Sequence, residues 1–223
     1  MREIVLDTET TGLDPAAGHR IVEVAGLELL NHMPTGRSFR EYINPERDMP
    51  EEAEKIHGLS TAFLADKPRF AEIAQPFLDF IGEARLVIHN AQFDMKFLNA
   101  ELKAAGLPRL AVDRAVDTVA LARKRFPGAQ VSLDALCRRF EIDNSERTYH
   151  GALLDCELLA EVYLELCGGR QPGLTLEQRR QPTAQLQPLT RDVRAARPHA
   201  PTPDEQAAHE AMLQKLTDPV WRQ

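Results

Sequence analysis

The stretch Ile4-Val5-Leu6-Asp7-Thr8-Glu9-Thr10-Thr11-Gly12 constrains this chain most, because it has the pattern of a buried strand that carries acids. Its first three residues are an apolar, β-branched-rich run typical of a core strand. Asp7 and Glu9 follow two positions apart, so their side chains leave the same face of the strand. Two carboxylates this close raise each other's pKa and destabilise the fold unless a cation or a basic side chain compensates them.

Composition limits what the rest of the chain can supply. The 223 residues, 43% of them hydrophobic, suffice for one sizeable α/β domain and a tail. A formal net charge of −7 argues against a protein that coats nucleic acid through an overall positive field. We predict a cytoplasmic protein, because no signal peptide or membrane span is recognisable and the three cysteines, Cys137, Cys156 and Cys167, have the surroundings of buried free thiols.

Hydrophobic periodicity predicts strands first and alternating helices and strands later. Turn residues separate the acidic strand from strands at Arg20 to Leu30 and Ser38 to Ile43, which favours an antiparallel meander. Further along, the patterns predict a buried strand at Leu86 to Ile88 and helices at 50–57, 70–82, 93–105, 115–126, 132–140 and 152–166. This order predicts an α/β fold with a mixed sheet flanked by helices.

Composition changes after residue 169. Residues 170–201 are rich in Gln, Pro, Thr and Arg, which is typical of a flexible linker. Thr202-Pro203-Asp204-Glu205 has the pattern of a capping box, and the following segment presents one apolar face formed by Ala208, Met212, Leu213 and Leu216. With Trp221, residues 202–223 are predicted to dock on another protein; the alternative is a terminal helix folded back on its own domain.

Further acids and a histidine are candidates for the face of the acidic strand. Asp94 is predicted in the first turn of the helix after the buried strand, where it is either functional or complements the helix dipole. His150 and Asp155 are five residues apart and cannot share one helical face, but a loop His150 and a helical Asp155 could point to one site. The alternative for His150 is a solvated or capping side chain.

Other charged residues have simpler explanations. Asp117 and Asp134 suit helix caps and first turns, and the basic run 123–125 suits a solvated face. No basic residue is predicted to be buried beside Asp7 and Glu9, so a metal is the favoured compensation for their charge.

The ordered set of motifs resembles the DEDD exonuclease superfamily in its histidine-containing branch, and within it the family of proofreading ε subunits of bacterial DNA polymerase III. The resemblance covers residues 2 to about 169. It rests on the acidic strand and on Gly18-His19-Arg20-Ile21, Ile56-His57-Gly58, Val87-Ile88-His89-Asn90, Ala120-Leu121-Ala122-Arg123, Ser132-Leu133-Asp134-Ala135-Leu136-Cys137 and Arg147-Thr148-Tyr149-His150-Gly151-Ala152-Leu153-Leu154-Asp155.

The resemblance implies a ribonuclease H-like fold and 3′→5′ exonuclease activity on single-stranded or mismatched DNA 3′ ends. Asp7, Glu9, Asp94 and Asp155 would hold two Mg²⁺ or Mn²⁺ ions, and His150 would act as general base. Contacts with the terminal nucleotide, implied in the same way, would come from Glu9, Asp155, Leu13, Glu52, His57 and Phe93.

The resemblance also implies partners. In this family the tail binds the polymerase subunit, here through the segment from Pro203 to Trp221. The peptide 171–176, with Gln171, Leu174 and Leu176, is similar to a sliding-clamp binding peptide but lacks its terminal aromatic residue. Two alternatives stay open: an RNA-directed DEDD exonuclease of the oligoribonuclease kind, and a subunit whose main task is assembly of the polymerase.

Overall fold

The computed structural model describes residues 1–145, 147, 149–169 and 200–216. They belong to two units, one within residues 1–169 and one comprising residues 200–216. The strands are β1 (Arg2–Thr10), β2 (Ile21–Leu30), β3 (Met33–Tyr42), β4 (Arg85–Ile88) and β5 (Ala115–Asp117). The helices are α1 (Glu51–His57), α2 (Thr61–Leu64), α3 (Phe70–Ile81), α4 (Ala91–Ala104), α5 (Thr118–Arg125), α6 (Leu133–Phe140), α7 (Ala152–Leu166) and α8 (Pro203–Leu213).

The five strands form one mixed sheet in the order β3-β2-β1-β4-β5. The pairs β1–β2 and β2–β3 are antiparallel, which confirms the predicted meander, whereas β4 pairs in parallel with β1 and β5. The parallel strands are joined through helices, as parallel pairing requires. The predicted α/β fold is therefore confirmed.

Helices cover both faces of the sheet, and the alternation of β1 assigns its side chains to them. Ile4 and Leu6 pack with the apolar residues of α3 and α4. Val5 points the other way, into the cluster that contains residues of α6 and α7. Since side chains two positions apart share a face, Asp7 and Glu9 point to the α7 side, as Val5 does.

Two predicted boundaries are wrong for identifiable reasons. Strand β3 begins at Met33, not Ser38, and its connection to β2 is the pair Asn31-His32, both with positive φ. Pro34 and Gly36 resemble a turn in the sequence, but β3 is an edge strand, where both residue types are tolerated. Residues Ala115–Asp117 form β5 rather than the start of a helix, because three residues are too few to show a strand period.

The cysteines agree only in part with the prediction of buried thiols. Cys137 and Cys156 are buried, whereas Cys167 is exposed one residue after α7 ends. The Cys156 thiol lies 3.7 Å from the carbonyl oxygen of Val5 and 3.6 Å from that of Ala25, so it fixes α7 against β1 and β2.

Helix α8 begins with the predicted capping box. The Thr202 hydroxyl accepts the Glu205 N–H at 3.3 Å, and the Glu205 carboxylate accepts the Thr202 N–H at 2.8 Å. Met212 and Leu216 are exposed, and Leu213 is buried. Across all the described ranges, no helix has the length and apolar character needed to cross a membrane.

Candidate active site

Four carboxylates from three elements meet at one end of the sheet. Asp7 and Glu9 lie on β1, Asp94 in the first turn of α4 and Asp155 in the first turn of α7. Asp7 is partly exposed, and the other three are at most 8% exposed. Asp94 approaches from the opposite helical layer and accepts a hydrogen bond from the Thr8 hydroxyl at 2.7 Å.

A cavity of about 320 Å³ connects these acids with His150. The imidazole lies on the loop before α7, is 49% exposed and places Nδ1 3.8 Å from Oδ2 of Asp155. Ligand atoms of Glu9, His150 and Asp155 all lie within 4.8 Å of one another. The loop histidine and the helical aspartate thus point to one site from different supports, as the sequence pattern allows. The other lining residues are Asp7, Thr8, His89, Phe93, Asp94, Ser132, Leu133, Asp134 and Arg147.

Burial and mutual repulsion raise the pKa of Asp7, Glu9 and Asp94. Loss of solvent raises the pKa of Glu9 to about 8, with Asp155 and Glu23 adding to the rise. Burial also raises the pKa of Asp94 to about 7, despite the hydrogen bond from Thr8. The pKa of Asp7 is well above its usual value because of desolvation and then the nearby charge of Asp94.

The donor set fits divalent metal ions. Carboxylate oxygens are the ligands that hard cations such as Mg²⁺ and Mn²⁺ prefer. The raised pKa values of Asp7, Glu9 and Asp94 are those of acids that lack enough positive charge nearby. Such ions would lower these pKa values and offset the repulsion that the β1 pair introduces.

Arg147 corrects the expectation that no basic residue is buried at this site. Its side chain is 8% exposed, and the guanidinium forms a two-bond pair with Asp155, with Nε 2.6 Å from Oδ1 and Nη2 2.7 Å from Oδ2. Nη1 lies 2.7 Å from Oδ1 of Asp134, and Nη2 lies 3.1 Å from Nδ1 of His150. The prediction was wrong because Arg147 lies on a loop, where no periodic pattern shows which side chains are buried. Only the folded chain brings it to the site.

Glu23 holds the beginning of α7 in place. The helix starts after Gly151, which has no side chain to cap it, and Glu23 of β2 accepts the N–H of Ala152 at 3.3 Å. Arg40 of β3 pairs with the same carboxylate at 2.7 Å. Sequence reasoning missed Glu23, although an acid within an apolar strand is itself an unusual feature. In the structure its side chain is 1% exposed.

The loop that carries His150 is fixed to the end of α1. The N–H of His150 donates to the carbonyl of Ile56 at 3.0 Å. The Tyr149 ring covers Gly58, where an added Cβ would lie 3.5 Å from it and where φ is +75°. Position 58 therefore favours glycine for its backbone conformation.

A second cavity, of about 500 Å³, adjoins the acidic one and shares Thr8, Glu9 and Phe93 with it. Of the other four residues assigned to the terminal nucleotide, Leu13, Glu52 and His57 line it as well, whereas Asp155 lines the acidic cavity instead. Leu13 is 82% exposed and His57 is 6% exposed. The remaining lining residues are Thr10, Thr11, Gly12, Asp14, Ala17, His19, Pro50, Ala53 and Ile56, and the sequence pattern assigned none of them to a nucleotide.

The residues assigned to protein partners are only partly described. Met212 and Leu213 belong to α8, and Leu216 lies three residues after its end. Gln171, Leu174, Leu176 and Trp221 lie outside the described residues.

Comparisons of sequence and of structure both relate this chain to exonucleases. A family model described as "Exonuclease" matches residues 4–163. The DNA polymerase III subunit epsilon of Rickettsia felis is 58% identical over 179 residues, which are 79% of this chain and 78% of the relative. The protein of the same name from Escherichia coli strain K12 is 46% identical over 223 residues, which cover 95% of this chain and 92% of the relative.

Solved exonucleases share the fold. Exonuclease X in complex with 5′ overhanging duplex DNA superposes with a TM-score of 0.56 at 25% identity, covering 74% of this chain and 90% of that one. The nuclease domain of 3′hExo, a DEDDh family member bound to rAMP, has a TM-score of 0.65 at 18% identity with the same coverage. Because the family model and the relatives match most of its length, the chain belongs to the exonuclease family and, within it, to the epsilon subunits of DNA polymerase III.

Proposed function

We propose that this chain removes mispaired nucleotides from DNA 3′ ends for a replicative polymerase and releases them as nucleoside 5′-monophosphates. The observation that carries the proposal is the single cavity in which Asp7, Glu9, Asp94, Asp155 and His150 face one another. The family to which the chain belongs supports a 3′→5′ exonuclease of the polymerase III type.

Members of this exonuclease family use divalent metal ions. In our proposal, Asp7, Glu9, Asp94 and Asp155 hold two ions, Mg²⁺ or Mn²⁺. When bound, such ions supply positive charge to the attacking and leaving oxygens of a phosphoryl displacement. The protein's own part is to hold four oxygen ligands on β1, α4 and α7, elements that are fixed by core packing.

His150 is the proposed general base. Desolvation, followed by the charge of Arg147, lowers its pKa below the usual value of 6.5, so the imidazole is neutral at neutral pH and can accept a proton. Its partial exposure leaves room for water beside the acids. The hydrogen bond from its backbone N–H to Ile56 keeps the ring near the site.

The cavity of about 500 Å³ is the proposed site of the terminal nucleotide. Exposed Leu13 and partly buried Phe93 offer apolar surface to a base or sugar, a contact that tolerates any base. Burial lowers the pKa of His57, which keeps that ring neutral. Glu52 and His57 then provide the polar contacts, and Glu9 and Asp155 border the scissile phosphate.

The direct test is the Asp7→Ala, Glu9→Ala double variant. We expect no mononucleotide release from a mismatched primer, because both β1 ligands are lost, while folding and polymerase binding are retained. The control is Glu28→Ala, which removes a buried acid of β2 that pairs with Arg2 and Arg37 outside the cavity. Wild-type cleavage by the double variant would refute the proposed site.

We also propose that the segment from Pro203 to Trp221 binds the polymerase subunit. The E. coli relative supports this, since its match covers 95% of the chain and therefore extends past residue 169. The expected clamp contact at 171–176 is testable by deletion of those residues: an unchanged clamp affinity in a pull-down would refute it.

Two competing functions are separable by experiment. Turnover on matched DNA and RNA oligonucleotides distinguishes a DNA exonuclease from an RNA-directed relative, and we expect preference for DNA 3′ ends. Polymerase stimulation by the Asp7/Glu9 double variant measures the assembly role alone. We expect it to persist, because neither residue belongs to the tail.

A further inference from the structure

We propose that Arg147 is a built-in counter-ion that occupies Asp155 and must release this carboxylate before divalent metal fills the site. Arg147 would then set the metal concentration at which the enzyme becomes active. The inference rests on the proposed function, which makes Asp155 a metal ligand.

The geometry of the pair supports direct occupancy rather than a general field. Arg147 binds both oxygens of Asp155, at 2.6 and 2.7 Å, in the parallel two-bond arrangement that guanidinium and carboxylate prefer. Asp155 is therefore engaged at each of the atoms that it could offer to an ion. Its neighbours Glu9 and His150 place their ligand atoms within 4.8 Å of the same group.

Arg147 is also positioned to move away without losing all its partners. A third contact, from Nη1 to Oδ1 of Asp134 at 2.7 Å, involves none of the four carboxylates. Asp134 is not one of the proposed metal ligands, and its side chain is 46% exposed. After releasing Asp155, the guanidinium can remain bound to Asp134.

Charge gives the release a physical cause. Arg147 brings one positive charge to a cavity that four carboxylates line. Two divalent ions would bring four positive charges, so they compensate the cluster far better than one guanidinium. Because like charges repel at close range, the ions and the guanidinium oppose each other beside Asp155.

The experiment measures Mn²⁺ binding by calorimetry on the full-length, metal-stripped chain. Arg147→Gln removes the competitor, so we expect its Kd for Mn²⁺ to be about tenfold lower than that of the wild-type protein. Without metal, the variant should unfold at lower temperature than wild type, since Asp155 loses its partner. Saturating Mn²⁺ should remove this difference in unfolding temperature.

Arg20→Gln is the matched control. Arg20 forms the same kind of two-bond pair, with Nε and Nη2 at 2.7 and 2.8 Å from buried Glu101, and it touches none of the four carboxylates. We expect Arg20→Gln to unfold at lower temperature with and without Mn²⁺ and to keep the wild-type Kd.

Arg147→Lys keeps the charge but cannot form the two-bond contact, and it serves if Arg147→Gln does not fold. We expect a Kd below the wild-type value. A Kd equal to or higher than wild type in either variant would overturn direct occupancy. If the wild-type chain itself binds no Mn²⁺, the metal site of the proposed function is wrong and this inference falls with it.

Discussion

The acids of the site are residues that a stable core would exclude. Asp94 and Glu9 are nearly buried, and burial raises the pKa of the first to about 7 and of the second to about 8. Holding such groups together costs stability that a purely structural domain would keep. Their arrangement is therefore better explained by binding of positive charge than by folding.

The metal-free protein should lose stability as the pH rises. Glu9 and Asp94 have folded-state pKa values above their usual 4.5 and 3.8, so their stabilising contribution is complete below about pH 4 and is lost as the pH rises through 7 to 8. We expect the unfolding temperature in EDTA to fall from pH 5 to 8. Saturating Mn²⁺ should remove most of this fall.

Glu9→Gln isolates the contribution of one acid to that profile. Glutamine cannot ionise, so the variant should lose less stability than wild type between pH 5 and 8 in EDTA. Identical slopes for the two proteins would contradict the raised pKa of Glu9.

His150→Gln should lower kcat by about 10²- to 10⁴-fold, the usual contribution of a general base. Glutamine preserves size and polarity but accepts no proton at neutral pH. The wild-type pH profile of kcat should fall on the acidic side below pH 6.5, because the pKa of His150 is lowered. Unchanged Mn²⁺ affinity controls for an indirect effect, and unchanged kcat would exclude the role.

At the scale of elements, α7 is the part on which the site depends. It carries Asp155 and follows the loop of His150. Among the described residues, the only side chain that caps its first turn is Glu23 of strand β2. The beginning of this helix is therefore positioned by the sheet rather than by its own sequence.

Glu23→Ala should affect both stability and catalysis. Loss of the contacts with Ala152 and Arg40 leaves a buried N–H without a partner, which we expect to cost about 1–3 kcal/mol of unfolding free energy. A displaced helix start should also lower kcat. Glu28→Ala is matched to it, as a buried β2 acid with arginine partners, and should destabilise without changing kcat.

The elements that sequence predicts best are those with a long period. The pattern gave α7 with its observed bounds and α3 within one residue, because a helix of several turns repeats its apolar face. It failed for β5, with three residues, and for the start of β3, where edge position outweighs turn chemistry.

Within the site, a residue could be predicted where its sequence context was unusual. Asp7 and Glu9 stand out because they interrupt an apolar strand, and the ordered motifs predict Asp94, His150 and Asp155. The fold brings all five to one cavity. Arg147 and Arg40 were not found, because an arginine on a loop or an edge strand has the sequence context of a solvated residue. Only tertiary structure brings such a residue to a buried carboxylate.

At the scale of the whole molecule, a chain of net charge −7 has to act on DNA, which is itself an anion. The overall charges of the chain and of DNA therefore repel each other. In our proposal, metal ions in the cavity and attachment to the polymerase subunit supply the missing attraction. Attachment raises the effective concentration of the nuclease at the primer end. The proposed division of labour, with catalysis in residues 1–169 and attachment through the tail, would meet this need.

Removal of residues 170–223 tests that division. We expect the remaining 1–169 to fold and to hydrolyse oligonucleotides at close to the full-length rate, because all five proposed catalytic residues are present. Association with the polymerase subunit should be lost in gel filtration. A truncated protein that stays bound to the polymerase would contradict a docking role for the tail.

The contact of α7 with β1 has a consequence for biosynthesis. The Cys156 thiol contacts the Val5 carbonyl across 151 positions of sequence, so the helix that carries Asp155 packs against the first strand. During translation, β1 emerges long before α7, and the cavity cannot close until residues beyond 155 have left the ribosome. A nascent or truncated product that ends before residue 155 therefore carries the acids of β1 and α4 but lacks Asp155. We expect such a product to have no nuclease activity.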